Sequence, residues 1–252
     1  MNPLDRFSDR VEDYVRYRPG YPRELIEVLH RDCRLSGDAA IADIGCGPGN
    51  LAVLFLENGN SVFGVEPNAA MREASARLLE RFPSFHPIDG RAEATNLPPA
   101  SVDLVTAGQA FHWFQPSATR AEFRRILKPA GWVALIWNER AGASAFDGAY
   151  EAVLLRYGTD YQKIRETRGD HESIAAFFQA GEVHRATFTH QQHFDYEGLK
   201  GRLLSSSYAP RPGHPNHEPM LNDLRQVFDS HHEAGRVVFH YETTMWYGRL
   251  AK

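Results

Sequence analysis

A glycine-rich loop carries the clearest chemical signal in the sequence. Residues 41–50 read IADIGCGPGN, so an apolar strand pattern runs directly into Gly45, Gly47 and Gly49. Glycine lets the backbone turn sharply and lie close against a ligand, which predicts a small-molecule site at this loop. Glu66 follows the next strand pattern, 21 residues after Gly45. A carboxylate at that place can accept hydrogen bonds from both hydroxyls of a ribose.

Departures from the familiar nucleotide motifs narrow the choice of ligand. The dinucleotide fingerprint requires a glycine five residues after the first, where this chain has Asn50. Pro48 lacks a backbone N–H that a pyrophosphate would use, and the chain has no GxxxxGK[ST] loop for a nucleoside triphosphate. The pattern therefore favours an adenosine cofactor without phosphates, and S-adenosylmethionine fits that description. A nicotinamide-dependent oxidoreductase and a cofactor-binding protein without turnover are the alternatives.

Three further side chains at or near the predicted strand ends could take part in chemistry. A carboxylate at Asp43 can bind the backbone donors of the loop. Cys46 is expected to be a packing residue rather than a nucleophile, because no base stands beside it in the sequence. His112 could act as a general base, since its pKa lies near neutrality. The alternative is that His112 only shapes the pocket through hydrogen bonds.

Two sets of side chains outside the loop suggest a cover and an acceptor pocket. The first set, near the N-terminus, consists of Tyr14, Tyr17, Arg18 and Tyr21. Aromatic faces attract cations such as a sulfonium, so this set could form a lid, or it could only fix the arm to the surface. The second set consists of Arg140, Arg202 and Arg211. Arginine can bind a substrate carboxylate through two hydrogen bonds, although at least two of the three are expected to be surface charges.

Alternating strand and helix patterns must position these residues. Strands are predicted at residues 39–44, 61–66, 84–88, 102–107 and 133–137, with helices at 50–57, 68–81 and 117–127. This alternation indicates a parallel sheet covered by helices, in which ligands bind beyond the carboxyl ends of the strands. A further helix is expected to start near Pro22. The C-terminal part predicts helices at 147–157, 196–206 and 219–234, strands at 183–194 and 236–247, and a loop at 210–219.

Composition excludes several classes of protein. The chain has 252 residues, of which 42% are hydrophobic, and a net charge of -4. These values argue against a disordered chain and against a protein that binds nucleic acid or anionic membranes. The longest apolar runs are six residues, too short to span a membrane, and the first residues have no apolar signal core. Two cysteines and the histidine spacings give no metal site. We expect a cytoplasmic protein, monomeric or homodimeric.

The motifs taken together resemble the class I S-adenosylmethionine-dependent methyltransferases, and within them the type-11 family. The matching segments are DIGCGPG at 43–49, VEPN at 65–68 with Met71, GRAE at 90–93 with LP at 97–98, SVDLV at 101–105, and RILKPAG at 125–131. They occur in the family's order and cover about residues 36–140. YRPGYP at 17–22, QAFHWF at 109–114 and WNER at 137–140 further resemble trans-aconitate methyltransferase-like proteins.

The resemblance implies a fold and a division of the chain. The fold is α/β, with a doubly wound, mostly parallel seven-stranded sheet, an antiparallel last strand and a helical cap. Residues 1–252 would form a single methyltransferase domain. Within it, 1–35 would be an N-terminal arm or lid, 36–140 the cofactor-binding core, and 141–252 the cap insertions with the last two strands.

The resemblance also implies residue roles toward S-adenosylmethionine. Gly45 and Gly47 would lie against the methionine part, Glu66 would bind the ribose and Met71 would pack on the adenine. Gln109 and Ala110 would line the floor below the sulfonium. The full set of implied cofactor-binding residues is Tyr14, Arg18, Asp43, Gly45, Gly47, Gly49, Glu66, Met71, Ala92, Glu93, Gln109 and Ala110, with His112 as the catalytic candidate for a small-molecule acceptor that is a carboxylate, hydroxyl or amine.

The adenine loop departs from the family's pattern at one position. The family often has Asp before Ala-Glu, where it accepts a hydrogen bond from the adenine amino group, and this chain has Arg91. Arginine cannot accept a hydrogen bond. The adenine contact is therefore expected at Asp89 or Glu93, with Ala92 beside the adenine edge.

Overall fold

A seven-stranded sheet lies at the centre of the protein. The computed structural model describes residues 15–142, 144–162, 171–179 and 182–251. The strands are β1 (Ala40–Ile44), β2 (Ser61–Val65), β3 (Phe85–Ile88), β4 (Val102–Gly108), β5 (Leu127–Arg140), β6 (Val183–Phe194) and β7 (Val237–Gly248). Their order across the sheet is β3-β2-β1-β4-β5-β7-β6. The chain therefore starts in the middle of the sheet, builds one half outward, and returns to build the other.

Strand direction follows the lengths of the connections. β1 pairs in parallel with β2 and β4, while β2–β3 and β4–β5 are also parallel. β7 lies between β5 and β6 and is antiparallel to both. Parallel neighbours require long crossovers, which the helices provide. The implied α/β fold, mostly parallel with an antiparallel last strand, is confirmed.

Eight helices accompany the strands in the described part of the chain. They are α1 (Glu24–Cys33), α2 (Ala52–Glu57), α3 (Ala69–Leu78), α4 (Pro116–Ile126), α5 (Ala145–Tyr157), α6 (His171–Phe178), α7 (Tyr196–Leu204) and α8 (His217–His231), with a short 3₁₀ helix at Phe111–Trp113. Side-chain caps explain where two of these helices begin. The Asn68 side chain accepts from the Met71 N–H before α3, and Ser144 with Asp147 forms a capping box before α5.

Each face of the sheet has its own apolar cluster. Ile41 on β1 packs with Leu25 and Phe55 of the helices on one face, whereas Ile44 packs with Phe123 of α4 on the other. Alternate residues of a strand point to opposite faces, so β1 is buried on both sides. Leu25 is completely buried, so the segment expected to be an arm also supplies a core helix.

The C-terminal helices form a third cluster at one end of the sheet. Residues of α5, α7 and α8 pack with Phe239 and Tyr241 of β7, and the buried members include Tyr150, Leu199, Met220 and Leu224. This cluster stands beyond the carboxyl end of β5, because Arg140, the last residue of β5, pairs in register with Tyr241. The cap therefore lies at the edge where parallel sheets bind ligands.

Some predicted boundaries were wrong. β5 extends to Arg140, three residues beyond the predicted end, because its polar last residues pair with β7. α8 begins at His217, inside the predicted loop, and α6 (His171–Phe178) was not predicted at all.

Candidate active site

The glycine loop turns sharply at the carboxyl end of β1. Gly45, Gly47 and Gly49 all have positive φ angles, of 67°, 55° and 94°. A Cβ atom on Gly45 would lie 2.7 Å from the Cβ of Ala110, and one on Gly49 would lie 2.5 Å from Leu79. A Cβ on Gly47 would meet no atom of the described residues within 4 Å. Gly45 and Gly49 thus serve close packing, whereas Gly47 leaves open space beside the loop.

Glu66 holds this loop from the end of β2. One carboxylate oxygen accepts a hydrogen bond from the Gly47 N–H at 2.9 Å, and the other accepts from the Asn68 N–H at 2.9 Å. Glu66 is only 8% exposed, and its burial raises the pKa of its carboxyl above the usual value, although these bonds oppose the rise. Each oxygen keeps a second lone pair, which is what a ribose hydroxyl requires.

Asp43 is buried beneath the loop. It is 1% exposed, and one of its oxygens accepts a hydrogen bond from the Thr106 hydroxyl at 3.1 Å. The other oxygen has no hydrogen-bond partner among the described residues. Burial raises the pKa of Asp43 to about 7, against the effect of the Thr106 hydroxyl. The result is a carboxyl group with one oxygen left for a donor in the cleft that it lines.

The segment after β4 forms the opposite side of the cleft. Gln109 has a positive φ of 58°, and its side-chain amide donates to the Asn138 carbonyl at 2.6 Å. His112 and the 42% exposed Trp113 line the cleft. Their neighbour Phe111 is buried against Phe177, with ring centroids 4.8 Å apart. Phe111 therefore anchors this 3₁₀ helix while the next two side chains remain at the cleft.

An N-terminal segment lies against the same cleft. Arg18 donates to the Ser205 carbonyl at 3.1 Å and to the Ser206 hydroxyl at 3.3 Å, beyond the end of α7. The Gly20 carbonyl accepts from the Asn138 amide at 2.9 Å. Arg18 and Tyr21 both line the cleft. Tyr14, the other favoured lid residue, falls outside the described residues.

The residues expected near the adenine lie at the neighbouring strand ends. Met71 on α3 and Ala92 are both buried, and Ala92 shares an apolar cluster with Val65 at the end of β2. The Glu93 carboxylate accepts from the Gln115 N–H at 2.8 Å, which ties its loop to the start of α4. The Asp89 side chain is 74% exposed and forms an ion pair with Arg72 at 3.2 Å. Both carboxylates proposed for the adenine contact therefore already have a protein partner.

The three candidate acceptor arginines differ in their environments. Arg202 is 7% exposed and Arg140 has a side chain that is 15% exposed, and both line the cleft. Arg211 is half-buried and is not among the residues that line the cleft. The expectation that at least two of the three are surface charges was wrong, because the C-terminal cluster packs around Arg140 and Arg202.

A single cleft of about 110 Å³ joins several of these parts. Of the residues predicted for the site, it is lined by Arg18, Asp43, Gly45, Gly47, Gln109 and His112. Glu66 and Ala110 adjoin it through Gly47 and Gly45, whereas Gly49, Met71, Ala92 and Glu93 are not among its lining residues. Sequence reasoning missed Asn138, Ser207, Tyr208 and Tyr241, which also line it. Asn138 lies in the WNER segment, so that motif was the available signal.

Neither a metal centre nor a reactive thiol emerges from the described residues. Within residues 15–142, 144–162, 171–179 and 182–251, no group of three or more His, Cys, Asp and Glu side chains could hold a metal ion. Cys46 lies in the loop, but its burial raises the pKa of the thiol well above the usual value. A thiol that stays protonated is a poor nucleophile. Every helix in the same ranges is too short or too polar to span a lipid bilayer.

Comparisons with known proteins agree with this architecture. The family model described as a methyltransferase domain matches residues 42–135. An uncharacterized methyltransferase of Mycobacterium tuberculosis is 34% identical over 225 residues, which cover 89% of this chain and 86% of that protein. An uncharacterized methyltransferase of Schizosaccharomyces pombe is 34% identical over 135 residues, so the match spans about half the length of either protein.

A solved structure shows the same fold. A protein assigned as a type II methyltransferase in Anaeromyxobacter dehalogenans superposes with a TM-score of 0.64, covering 93% of this chain and 98% of that one at 23% identity. The sheet order, the glycine loop with Glu66, and these relatives all indicate the same family. The chain belongs to the class I S-adenosylmethionine-dependent methyltransferases.

Proposed function

We propose that the protein transfers the methyl group of S-adenosylmethionine to a small-molecule acceptor in the cleft between the glycine loop and the C-terminal cluster. The observation that carries this proposal is the cleft itself, which Gly47 and Asp43 line together with Arg202 and Tyr241. Cofactor-binding and C-terminal residues thus adjoin one space. A cofactor and an acceptor must meet in such a space for in-line transfer.

The residues at the loop fit an adenosyl cofactor. Gly47 offers a surface without a side chain, beside which there is open space. The second lone pairs of the Glu66 oxygens would accept from the ribose hydroxyls, and the free oxygen of Asp43 would accept from a donor in the cleft. Gly45 and Gly47 would lie along the methionine part, and Gly49 would support them by keeping α3 close.

The remaining cofactor roles follow the family resemblance. Met71 would pack on the adenine, with Ala92 and Glu93 along the adenine edge. Gln109 and Ala110 would form the floor below the sulfonium. Tyr14 and Arg18 would belong to a lid, and the bonds from Arg18 to Ser205 and Ser206 support a cover that is attached to the residues after α7.

Bound S-adenosylmethionine supplies a methyl group to an attacking acceptor atom, while the sulfur retains the electron pair of the broken carbon–sulfur bond and leaves as S-adenosylhomocysteine. The chain's own contribution is to hold the acceptor in position. The glycine loop, the Gln109 segment and the arginines limit where an acceptor can lie, and positioning alone can lower a barrier by roughly 7–11 kcal/mol. His112 would accept a proton from a hydroxyl or amine acceptor, since it lines the cleft.

A small acceptor is also supported by charge. The chain has a net charge of -4, which disfavours a nucleic-acid substrate. A single domain over residues 1–252, a cytoplasmic location, a monomeric or homodimeric state and the trans-aconitate methyltransferase-like subtype stay predictions.

Transfer of a labelled methyl group tests the proposal. The protein is incubated with S-adenosylmethionine labelled on its methyl group and with separate pools of carboxylic acids, phenols and amines. We expect label in at least one pool together with formation of S-adenosylhomocysteine. Tight binding of the cofactor with no label in any pool would favour a protein that binds without turnover.

A further inference from the structure

Arg202 is a buried cation that has no acidic partner among the described residues. It is 7% exposed and lies in the last turn of α7. Its Nε donates to the Tyr241 hydroxyl at 3.2 Å and its Nη1 donates to the Ser206 hydroxyl at 3.5 Å. Among the described residues, no carboxylate lies within 4 Å of it and no acceptor is bonded to its Nη2. Guanidinium cannot lose its proton in a protein, so the charge remains.

Arg140 lines the same cleft as Arg202 and is also incompletely paired. Its Nη2 donates to Glu151 at 2.5 Å and to the Tyr161 hydroxyl at 3.2 Å, whereas its buried Nη1 has no hydrogen-bond partner among the described residues. Arg140 pairs in register with Tyr241, the residue whose hydroxyl Arg202 binds. The positive charges of both guanidinium groups also act on the buried Tyr150, where each opposes the rise in the pKa of that phenol, and both side chains line the cleft.

The charges in this part of the cleft do not balance. Arg140 and Arg202 carry two positive charges, and among the described residues the only carboxylate paired with either of them is Glu151, which binds Arg140. A buried, uncompensated charge is strongly unfavourable, and removal of one partner from a buried pair typically destabilises a protein. Because Arg202 remains buried at a cleft rather than at the surface, an anion from outside the chain is the natural partner for it.

The form of the site favours a carboxylate over a phosphate. One negative charge is enough to balance the one unpaired positive charge, and a planar carboxylate matches the fork of guanidinium N–H groups. Arg202 lies at the C-terminal end of α7, where the helix carbonyls disfavour a second negative charge. Aromatic rings stand around the pair, since the Arg140 guanidinium lies 4.8 Å from the ring centre of Tyr150 and 5.8 Å from that of Phe239.

We propose that the methyl acceptor carries a carboxylate group and that Arg202 and Arg140 bind this carboxylate together. This inference rests on the proposed function, because it assigns the acceptor of the same cleft. Nη2 of Arg202 and Nη1 of Arg140 are the donors that the carboxylate uses. The same two side chains select against neutral and cationic acceptors of similar shape, which leave both donors unpaired.

Binding to the full chain saturated with S-adenosylhomocysteine tests this assignment. The probes are benzoate, phenylacetate and hexanoate, with their amides, benzylamine and phenyl phosphate as competitors of matched shape. We expect at least one carboxylate to bind at least tenfold more tightly than its amide. The inference is overturned if no carboxylate binds below about 10 mM, if the amides bind equally well, or if phenyl phosphate binds tenfold more tightly than every carboxylate.

Variants separate a binding role from a packing role. Arg202→Lys and Arg140→Gln are expected to weaken carboxylate binding by about 10- to 100-fold while S-adenosylhomocysteine binds as in the wild type. Arg211→Gln, outside the cleft lining, is the control and should bind the carboxylate normally. Arg202→Met should unfold at the wild-type temperature or above in the absence of ligand, because a hydrophobic replacement removes an unpaired buried charge.

Different results would contradict the proposed methyl transfer and the carboxylate-binding role of Arg202 and Arg140. If S-adenosylhomocysteine does not bind the wild-type protein, the proposed function is wrong and this inference falls with it. If it binds, but the carboxylate affinity is the same in Arg202→Lys, Arg140→Gln and the wild type, only the carboxylate assignment is wrong.

Discussion

The Glu66 carboxylate and the Gly47 N–H are joined by a hydrogen bond of 2.9 Å between the ends of two neighbouring strands. The bond fixes the middle of the glycine loop to the residue that follows β2. A site built in this way has its loop and its carboxylate already in place before a ligand arrives. Such preorganisation reduces the entropy lost on binding.

Replacement of Glu66 by Gln should weaken cofactor binding. The amide has one acceptor oxygen instead of two. It therefore cannot accept hydrogen bonds from the Gly47 N–H, the Asn68 N–H and the ribose hydroxyls at the same time. Hydrogen bonds to a charged group contribute about 1.5–3 kcal/mol, so we expect the dissociation constant of S-adenosylhomocysteine to rise about 10- to 100-fold. Calorimetry measures this value, with the exposed Glu73→Gln on α3 as the control. An affinity within twofold of the wild type would remove Glu66 from the ribose role.

Alanine at Gly47 and alanine at Gly45 should have different consequences. At Gly47 the added methyl meets no atom of the part of the chain that the structure describes within 4 Å, so the expected cost is that of the positive φ, about 1–2 kcal/mol. The same methyl would occupy space beside the loop, and we expect loss of S-adenosylhomocysteine binding with the fold retained. At Gly45 the methyl would lie 2.7 Å from Ala110 and should lower the free energy of unfolding further. Urea unfolding and calorimetry on both variants check the contrast, and normal binding by Gly47→Ala would contradict it.

Asp43 should make the ligand-free protein less stable as the pH rises. Burial raises the pKa of Asp43 from 3.8 to about 7, so between these pH values the folded state binds more protons than the unfolded state. The free energy of unfolding must then fall between about pH 4 and pH 7, by at most about 4 kcal/mol. Asp43→Asn should remove this fall, because an amide does not titrate.

Urea unfolding of the ligand-free protein at several pH values measures the effect. The exposed Asp229→Asn on α8 loses the same charge and should keep the wild-type pH dependence. Identical pH profiles for Asp43→Asn and the wild type would show that the buried carboxyl has an ordinary pKa.

Glu122 should stabilise the protein with the opposite pH dependence. Hydrogen bonds from Arg125, and others from Thr95, lower the pKa of Glu122 from 4.5 to about 2 despite its burial. Its contribution is complete above about pH 4.5 and is lost as the pH falls toward 2. Glu122→Gln should lower the free energy of unfolding by about 2 kcal/mol at pH 7. The difference in the free energy of unfolding between Glu122→Gln and the wild type should shrink below pH 4. The exposed Glu80→Gln should unfold with the same free energy as the wild type. A deficit that is constant with pH would rule out the ionised carboxylate as its source.

The central part of the fold was predictable because its signals are local. β1, β2 and β4 are apolar runs that stand next to glycine, proline or asparagine. The glycines of the loop at residues 45–49 predict its sharp turn. The end of β5 was not predictable, because Asn138 and Arg140 are polar and belong to the strand only through pairing with Thr243 and Tyr241 more than 100 positions away.

The acceptor side of the cleft was the least predictable part for the same reason. Nothing around Arg202 in the sequence distinguishes it from a surface arginine. It becomes buried because α7 packs against the end of β7, where Tyr241 accepts its hydrogen bond. The cofactor side depends on motifs within single turns, whereas the acceptor side depends on long-range packing, and only the structure brings Arg140 and Arg202 to the same cleft.

A crystal structure of the protein with S-adenosylhomocysteine tests the account most directly. We predict that the ribose hydroxyls lie against Glu66, that the amino-acid part follows Gly45 and Gly47, and that the sulfur faces the space lined by Arg202. Density for the ligand in the second opening of the fold, between Cys33, Lys128 and Arg249, with none beside Gly47 and Glu66, would contradict it.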